Sequence, residues 1–168
     1  MELLIVRHAI AHERDPSRWA DDRTRPLTSP GIKRARRAAA GLRELIAPPE
    51  RMLTSSLRRA EQTAELLHEV AGWPQARVCP LLAPGGSPAA LLTLLAAERI
   101  ARIAIVGHQP DLGKLLALCL PGPAEAAFAL RKMGVALVSF TSAPRAGRGT
   151  LQWLVAPRLL RAVGSARS

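Results

Sequence analysis

Histidines and arginines follow three short strand candidates of this chain. Two of them are aliphatic runs typical of buried strands, the third reads Arg-Met-Leu-Thr, and polar residues come directly after each. If the three strands are parallel neighbours, their carboxyl ends meet at one sheet edge, which is where α/β sheets bind ligands. The segments 3–6, 51–54 and 103–106 are followed by Arg7-His8, by 55–63 with Arg58 and Arg59, and by Gly107-His108.

Two histidines with two or three arginines, and without a pair of carboxylates, suit phosphoryl transfer. Guanidinium groups stay charged and bind phosphate oxygens in bidentate geometry. A histidine among them can attack phosphorus and form a covalent intermediate, while the arginines stabilise the charge on the phosphoryl oxygens. The last two clusters also begin helices, whose free N–H groups favour an anion. The residues therefore predict metal-free chemistry through a phosphohistidine, with a phosphate or sulfate anion as a ligand.

Four motifs follow one another along the chain: Arg7-His8-Ala9, Arg25-Pro26-Leu27-Thr28 with Gly31, Ser55-x-x-x-Arg59-Ala60-x-Gln62-Thr63-Ala64, and Gly107-His108-Gln109-Pro110. Their order and rough spacing resemble the histidine phosphatase (phosphoglycerate-mutase-like) superfamily. Within it, the chain is most similar to the small SixA-type phosphohistidine phosphatases. One Arg-His pair is a weak signal, but four ordered motifs are specific, and together the resemblance spans roughly residues 1–155.

The resemblance implies His8 as the nucleophile, with Arg7, Arg59 and His108 completing the phosphate pocket. It implies no metal and no organic cofactor. The residues alone leave alternatives open. His8 can be a histidine at a strand end that caps the sheet, His108 a loop histidine bonded to main chain, and Arg59 a helix-surface arginine paired with a nearby glutamate.

Arg25, Arg58 and Gln109 are the predicted substrate-binding residues. Arg25 has a second interpretation, in which it organises the polar loop 9–30 and the start of the next helix. Arg58 is the neighbour of the motif arginine and can point elsewhere. Gln109 can contribute its backbone N–H to phosphate.

One departure from the superfamily concerns the leaving group. Many of its phosphomonoesterases carry an acidic residue after a later strand, which protonates the leaving alkoxide. The corresponding residues 79–84 read Cys-Pro-Leu-Leu-Ala-Pro. A general acid contributes typically about 10²–10⁴-fold, and imidazole leaving from phosphohistidine needs it far less. The missing acid favours a P–N bond as substrate, although Glu13, Asp15, Asp21 or Asp22 in the loop can still supply a proton.

The expected function is hydrolysis of phosphohistidine on a protein through a phosphohistidine intermediate on His8. The expected partner is a phosphohistidine-bearing protein or a small phosphorylated substrate. One alternative is a metal-independent phosphomonoesterase for a small metabolite, with a loop carboxylate as the acid. The other, from a different class, is a non-catalytic polyanion-binding module.

Charge is distributed unevenly along the 168 residues. The chain has 24 Lys and Arg against 13 Asp and Glu, a net charge of +11, and Glu125 is the last acidic residue. Clustered basic residues attract polyanions, but an arginine-rich composition with a solvated basic face explains the same pattern. Nucleic acid is not expected as a partner because aromatic residues for base stacking are scarce, at 3%.

Alternating apolar and amphipathic segments predict an α/β fold. We expect a three-layer α/β/α sandwich with a mostly parallel central sheet and an antiparallel edge formed by a final hairpin. The predicted helices are 31–46, 57–71, 87–97 and 111–120, and the further strands are 78–82, 135–141 and 151–155. Residues 1–157 are expected to form one domain, and 158–168 a loosely held basic tail.

The compartment is expected to be the cytoplasm. The N-terminus lacks the basic and long apolar regions of a signal peptide, and no uncharged run reaches the ~18 residues of a membrane helix. Cys79 and Cys119 lie in apolar stretches without a metal-ligand spacing, and both are expected to be reduced, buried and inert.

Overall fold

A computed structural model of the chain describes residues 1–123 and 128–165. Six strands form one sheet in the spatial order third, second, fourth, first, fifth, sixth. The strands are β1 (Glu2–Arg7), β2 (Arg51–Thr54), β3 (Ala76–Val78), β4 (Arg102–Gly107), β5 (Val135–Ser139) and β6 (Thr150–Val155). Strands β1 to β4 are parallel, β5 runs antiparallel to β1, and β6 antiparallel to β5. The predicted final hairpin is therefore present.

In residues 1–123 and 128–165, five α-helices cover the two faces of this sheet. Their bounds are α1 (Ser29–Leu45), α2 (Arg58–Ala71), α3 (Pro88–Ala96), α4 (Asp111–Cys119) and α5 (Pro157–Ser165). Side chains alternate between the faces of a strand. In β1, Leu4 and Val6 therefore pack with α1, α2 and α5, while Leu3 and Ile5 pack with α3 and α4. All four side chains are fully buried. The arrangement is the three-layer α/β/α sandwich that the sequence predicts.

Hydroxyl side chains cap the starts of two helices. The Thr28 side chain accepts a hydrogen bond from the N–H of Gly31 at 3.0 Å and caps α1. Helix α1 starts two residues earlier than predicted, because Pro30 fits the first turn of a helix. Ser87 caps α3 in the same way, with its hydroxyl accepting from the N–H of Ala90. None of the helices in residues 1–123 and 128–165 is both long and apolar enough to span a bilayer.

The C-terminal residues correct one expectation. Residues 158–165 are not loosely held, because α5 packs on α1 with Leu160 fully buried. Glycines permit this close approach: a Cβ on Gly41 would lie 1.9 Å from the carbonyl oxygen of Leu160, and one on Gly164 would lie 2.3 Å from that of Arg37. The expectation for 166–168 falls outside the described residues.

The segment 78–82 is also not one strand. Strand β3 ends at Val78, and Pro80–Leu82 form a turn of 3-10 helix after Cys79. Cys79 and Cys119 are buried and unpaired, as expected. Burial raises the pKa of the Cys119 thiol to about 12, so the thiol stays protonated.

Candidate active site

The carboxyl ends of β1, β2 and β4 meet at one edge of the sheet, as the sequence predicts. Arg7 pairs with Gly107 across β1 and β4, and the N–H of His8 donates to the carbonyl oxygen of Gly107 at 3.0 Å. Ser55 continues β2 beside β4 through its N–H to Val106. These pairings place the three polar clusters next to one another.

Three of the predicted catalytic residues are buried at this edge. His8, Arg59 and His108 are 7%, 5% and 4% exposed. The ring centroids of the two histidines lie 5.0 Å apart. Burying polar and charged side chains costs free energy unless hydrogen-bond partners or a ligand compensate. The contacts of these three side chains therefore indicate their role.

One contact fixes the tautomer of the His8 ring. Its Nδ1 lies 2.7 Å from the carbonyl oxygen of Ala9. A carbonyl can only accept, so Nδ1 carries the proton and Nε2 carries the free lone pair. Burial lowers the pKa of His8 to about 4, and the nearby charges of Arg59 and Arg7 contribute, so the ring is neutral near pH 7.

The motif residues after Arg59 fix the turn that follows His8. The hydroxyl of Thr63 donates to the carbonyl oxygen of Arg59 at 2.7 Å and accepts from the N–H of Ala9 at 2.9 Å. The side-chain oxygen of Gln62 accepts from the N–H of Leu27 at 2.8 Å and joins the loop 9–30 to α2. The Gln-Thr pair is therefore explained by two tertiary contacts that order the site.

His108 is tied to a serine hydroxyl. Its Nε2 lies 2.9 Å from Oγ of Ser55, which also accepts from the N–H of Leu57 at 3.3 Å. Burial first, and then the neighbouring His8, lower the pKa of His108 to about 3. A neutral ring offers a single N–H. When the Ser55 hydroxyl donates its hydrogen bond to Nε2, the single N–H of the neutral ring is on Nδ1.

The two arginines are each fixed by a different loop. Nη1 of Arg7 donates to the carbonyl oxygen of Leu130 at 2.8 Å. Nη1 of Arg59 donates to the carbonyl oxygen of Asp22 at 2.9 Å, and Nη2 lies 3.2 Å from Oδ2 of the same residue. Burial lowers the pKa of both guanidinium groups.

Several buried nitrogen atoms at this edge have no hydrogen-bond partner. Within residues 1–123 and 128–165, Nε of Arg7, Nε of Arg59 and Nδ1 of His108 are buried and make no hydrogen bond. An unpaired buried polar group costs about 1–3 kcal/mol. Two of these nitrogens are guanidinium donors, and the third is a donor in the Nδ1–H form of His108. The oxygens of a bound phosphate could accept hydrogen bonds from all three.

Asp22 is the carboxylate that enters this edge, and the sequence pointed to it only as one of four possible proton donors. It begins a 3-10 turn, Asp22–Thr24, and bonds Nε of Arg25 at 2.7 Å as well as Arg59. The hydrogen bond from Arg25, with the charge of Arg59, lowers the pKa of Asp22. An ionised Asp22 orients guanidinium groups and has no proton to donate at neutral pH.

The predicted substrate-binding residues lie in three different settings. Arg25 has its guanidinium on Asp22 and on the carbonyl oxygen of His12, which supports its loop-organising interpretation. Arg58 is 45% exposed and pairs with Glu65 at 3.0 Å. The side-chain amide of Gln109 donates to the carbonyl oxygen of Phe128. The structure thus links Arg25 to Arg59 through Asp22 and engages Arg58 on the helix surface.

Sequence reasoning missed the loop 130–134. The N–H of Met133 lies 3.0 Å from the carbonyl oxygen of Arg7 and 3.2 Å from that of His8, so this loop packs on Arg7 and His8. Met133 has a φ of 65°, an uncommon value for a residue other than glycine. More than 120 residues separate the loop from β1, and it carries no motif, so no local signal identifies it.

The sheet order and the cluster of histidines and arginines are those of a protein that binds phosphoryl groups. Comparison with known proteins assigns the superfamily. Residues 3–83 match the profile of the histidine phosphatase superfamily (branch 1). The phosphohistidine phosphatase SixA of Escherichia coli (strain K12) is 31% identical over 161 residues, which cover 94% of each chain. The chain belongs to the histidine phosphatase superfamily.

Two further proteins are similar to this chain. The structure of the protein histidine phosphatase SixA complexed with tungstate has a TM-score of 0.84 and 32% identity, covering 95% of this chain and 99% of that one. An uncharacterized protein of Picosynechococcus sp. (strain ATCC 27264 / PCC 7002 / PR-6) is 40% identical over 138 residues, covering 80% and 82% of the two chains. The superfamily match and the similarity to SixA support phosphatase activity.

Proposed function

We propose that this protein hydrolyses phosphohistidine on a protein substrate, with His8 as the nucleophile. The observation that carries the proposal is the neutral His8 ring, whose Nε2 lone pair is set by the Nδ1 contact to Ala9, beside three buried nitrogens without partners. Similarity to SixA, a phosphohistidine phosphatase, supports the substrate class.

In the first step, Nε2 of His8 attacks phosphorus in line. The new P–N bond forms as the P–N bond of the substrate breaks, and the substrate imidazole leaves and takes a proton from solvent. Arg7, Arg59 and His108 bind the three phosphoryl oxygens and stabilise their charge. In the second step, water attacks the phosphorylated His8 and releases orthophosphate, which restores the neutral ring.

The state of the loop carboxylates supports a P–N substrate. Hydrogen bonds and nearby guanidinium groups lower the pKa of Asp15, Asp21 and Asp22. An alkoxide leaving group benefits from a neutral acid, whereas an imidazole leaves more readily without one. A pocket whose nearest carboxylate is ionised therefore matches phosphohistidine better than an unactivated phosphate ester.

The test measures phosphate release from a histidine-phosphorylated protein, from p-nitrophenyl phosphate and from a panel of sugar phosphates, with a chelator present. We expect the phosphohistidine protein to be the best substrate. His8→Ala should lose more than about a thousandfold in kcat, since it removes the nucleophile. The matched control is His68→Ala, because His68 lies on α2 and bonds the carbonyl oxygen of Trp73.

Other results would assign another function. Faster turnover of a sugar phosphate, still dependent on His8, would make the protein a small-metabolite phosphatase and overturn the proposed substrate. Absence of any His8-dependent turnover, together with salt-sensitive polyanion binding that survives His8→Ala, would identify the binding module instead.

A further inference from the structure

Net positive charge differs between the two loops at the site. The loop 9–30 carries four basic and four acidic residues, so its formal charges balance, and Arg23 and Arg25 are paired with Asp21 and Asp22. By contrast, the described residues 128–165 contain six basic residues and no acidic one. Residues 128–165 therefore carry a net charge of +6, against zero for the loop 9–30.

Three of these basic residues lie at the edge that carries His8. Strand β5 starts at Val135, which pairs with Val6 of β1 and with Val155, the last residue of β6. The loop 130–134 therefore precedes β5 at this edge, and α5 begins just after β6 at the same edge. The three residues, called here the cationic surface, are Arg131, Lys132 and Arg158.

The local structure exposes these charges. Leu130 and Met133 are buried, at 1% and 3% exposed, whereas Arg131 and Lys132 between them are exposed. Arg158 is exposed in the first turn of α5. In the part of the chain that the structure describes, the cationic surface makes no ion pair. The charge of Lys132 is also close enough to help lower the pKa of His8.

We propose that the cationic surface binds acidic residues flanking the phosphohistidine of a protein substrate. This inference rests on the proposed function and specifies the substrate class of the same site. Complementary charge around a site raises the rate of productive encounter and selects between partners, and both effects weaken with salt. Because these side chains lie outside the buried phosphate pocket, they can contact the carrier protein while Arg7 and Arg59 bind the phosphate.

The experiment compares two synthetic phosphohistidine peptides that differ only in having Glu or Gln on both sides of the phosphohistidine. At low salt, we expect wild type to show a kcat/KM roughly tenfold higher for the Glu peptide. The triple variant Arg131→Gln, Lys132→Gln, Arg158→Gln should lose this ratio and keep its kcat/KM for the Gln peptide within about twofold. Raising the salt concentration should reduce the wild-type ratio in the same way.

A second triple variant is the matched control. Arg99, Arg145 and Arg148 are exposed and lie outside β4, β5 and β6 at the opposite edge of the sheet. Changing all three to Gln removes the same net charge, and this variant should keep the wild-type preference for the Glu peptide.

Each remaining outcome overturns a different statement. Equal kcat/KM for both peptides in wild type, or equal loss of preference in both triple variants, would contradict the docking role. Loss of activity on both peptides in the first triple variant alone would place these cations in the phosphate pocket rather than on a docking surface. Failure of wild type to hydrolyse either peptide, with sugar phosphates turned over, would refute the proposed function instead.

Discussion

Two loops at one edge of the sheet each fix one arginine of the phosphate pocket, and they do so by different means. The loop 9–30 binds Arg59 through the carboxylate and carbonyl of Asp22, so charge contributes to the contact. The loop 130–134 binds Arg7 through the neutral carbonyl of Leu130 and is fixed by main-chain bonds from Met133. A contact that depends on a side chain can be removed by one substitution, whereas a main-chain contact depends on loop geometry.

The largest expected effect concerns Arg59, the arginine that pairs with a carboxylate. Arg59→Lys keeps the positive charge but loses the planar fork that reaches both Asp22 and a phosphoryl oxygen. We expect kcat to fall by about a thousandfold in a phosphate-release assay. Arg58→Lys is the adjacent control, since Arg58 pairs with surface glutamates, and it should change kcat by less than about twofold. Equal losses in the two variants would contradict the assignment of Arg59 to the pocket.

The two histidines between the loops predict a pH dependence of stability. The pKa values of His8 and His108, about 4 and about 3, lie below the value of about 6.5 for an exposed histidine. As the pH falls, the unfolded chain therefore binds protons before the folded protein does. Stability is present above pH 6.5 and is lost as the pH falls toward 4, by on the order of 2 kcal/mol per ring at pH 5.

Urea unfolding at pH 7 and pH 5 measures this loss. The double variant His8→Asn, His108→Asn should flatten the dependence in that range. A slope equal to that of wild type would mean that neither buried ring titrates as its surroundings imply.

Asp22→Asn tests the side-chain contact of the first loop directly. We expect about a tenfold loss of kcat, because the amide keeps the size of the carboxylate but loses the charge that orients Arg59. In an Arg59→Lys background, the same change should cost less than about threefold, because the two residues act through one contact. Asp21→Asn is the control, since Asp21 bonds Arg23 at the surface. Additive losses would show that Asp22 acts independently of Arg59.

The smallest expected effect tests the main-chain contact of the second loop. Met133 has a φ of 65°, where glycine is favoured over other residues. Met133→Gly should therefore be about 1 kcal/mol more stable than Met133→Ala, although both lose the buried side chain. At Leu130, whose φ is not positive, Leu130→Gly should be less stable than Leu130→Ala. Thermal or urea unfolding of the four variants gives the comparison, and the same order at both positions would contradict it.

Local sequence patterns were sufficient to predict the sheet edge. Apolar runs followed by His8, Arg59 and His108 are short-range features, and parallel pairing of their strands brings them together. The partners of the arginines were not predictable in this way, because the bond from Arg7 to Leu130 joins residues 123 positions apart. Docking of α5 depends on Gly41, whose lack of a side chain is informative only once its neighbour is known. The partners of the arginines and the close packing of α5 on α1 could therefore be identified only from the structure.

The position of β1 has a consequence for synthesis of the protein. Its two neighbours in the sheet are β4, at Arg102–Gly107, and β5, at Val135–Ser139. At about 5–20 residues per second, the ribosome needs several seconds after making β1 to complete these partners. We expect this first strand, with its four aliphatic side chains, to be a target for chaperones during that interval. Chains released after residue 123 should bind such chaperones more strongly than chains released after residue 155, because only the longer ones can pair both edges of β1.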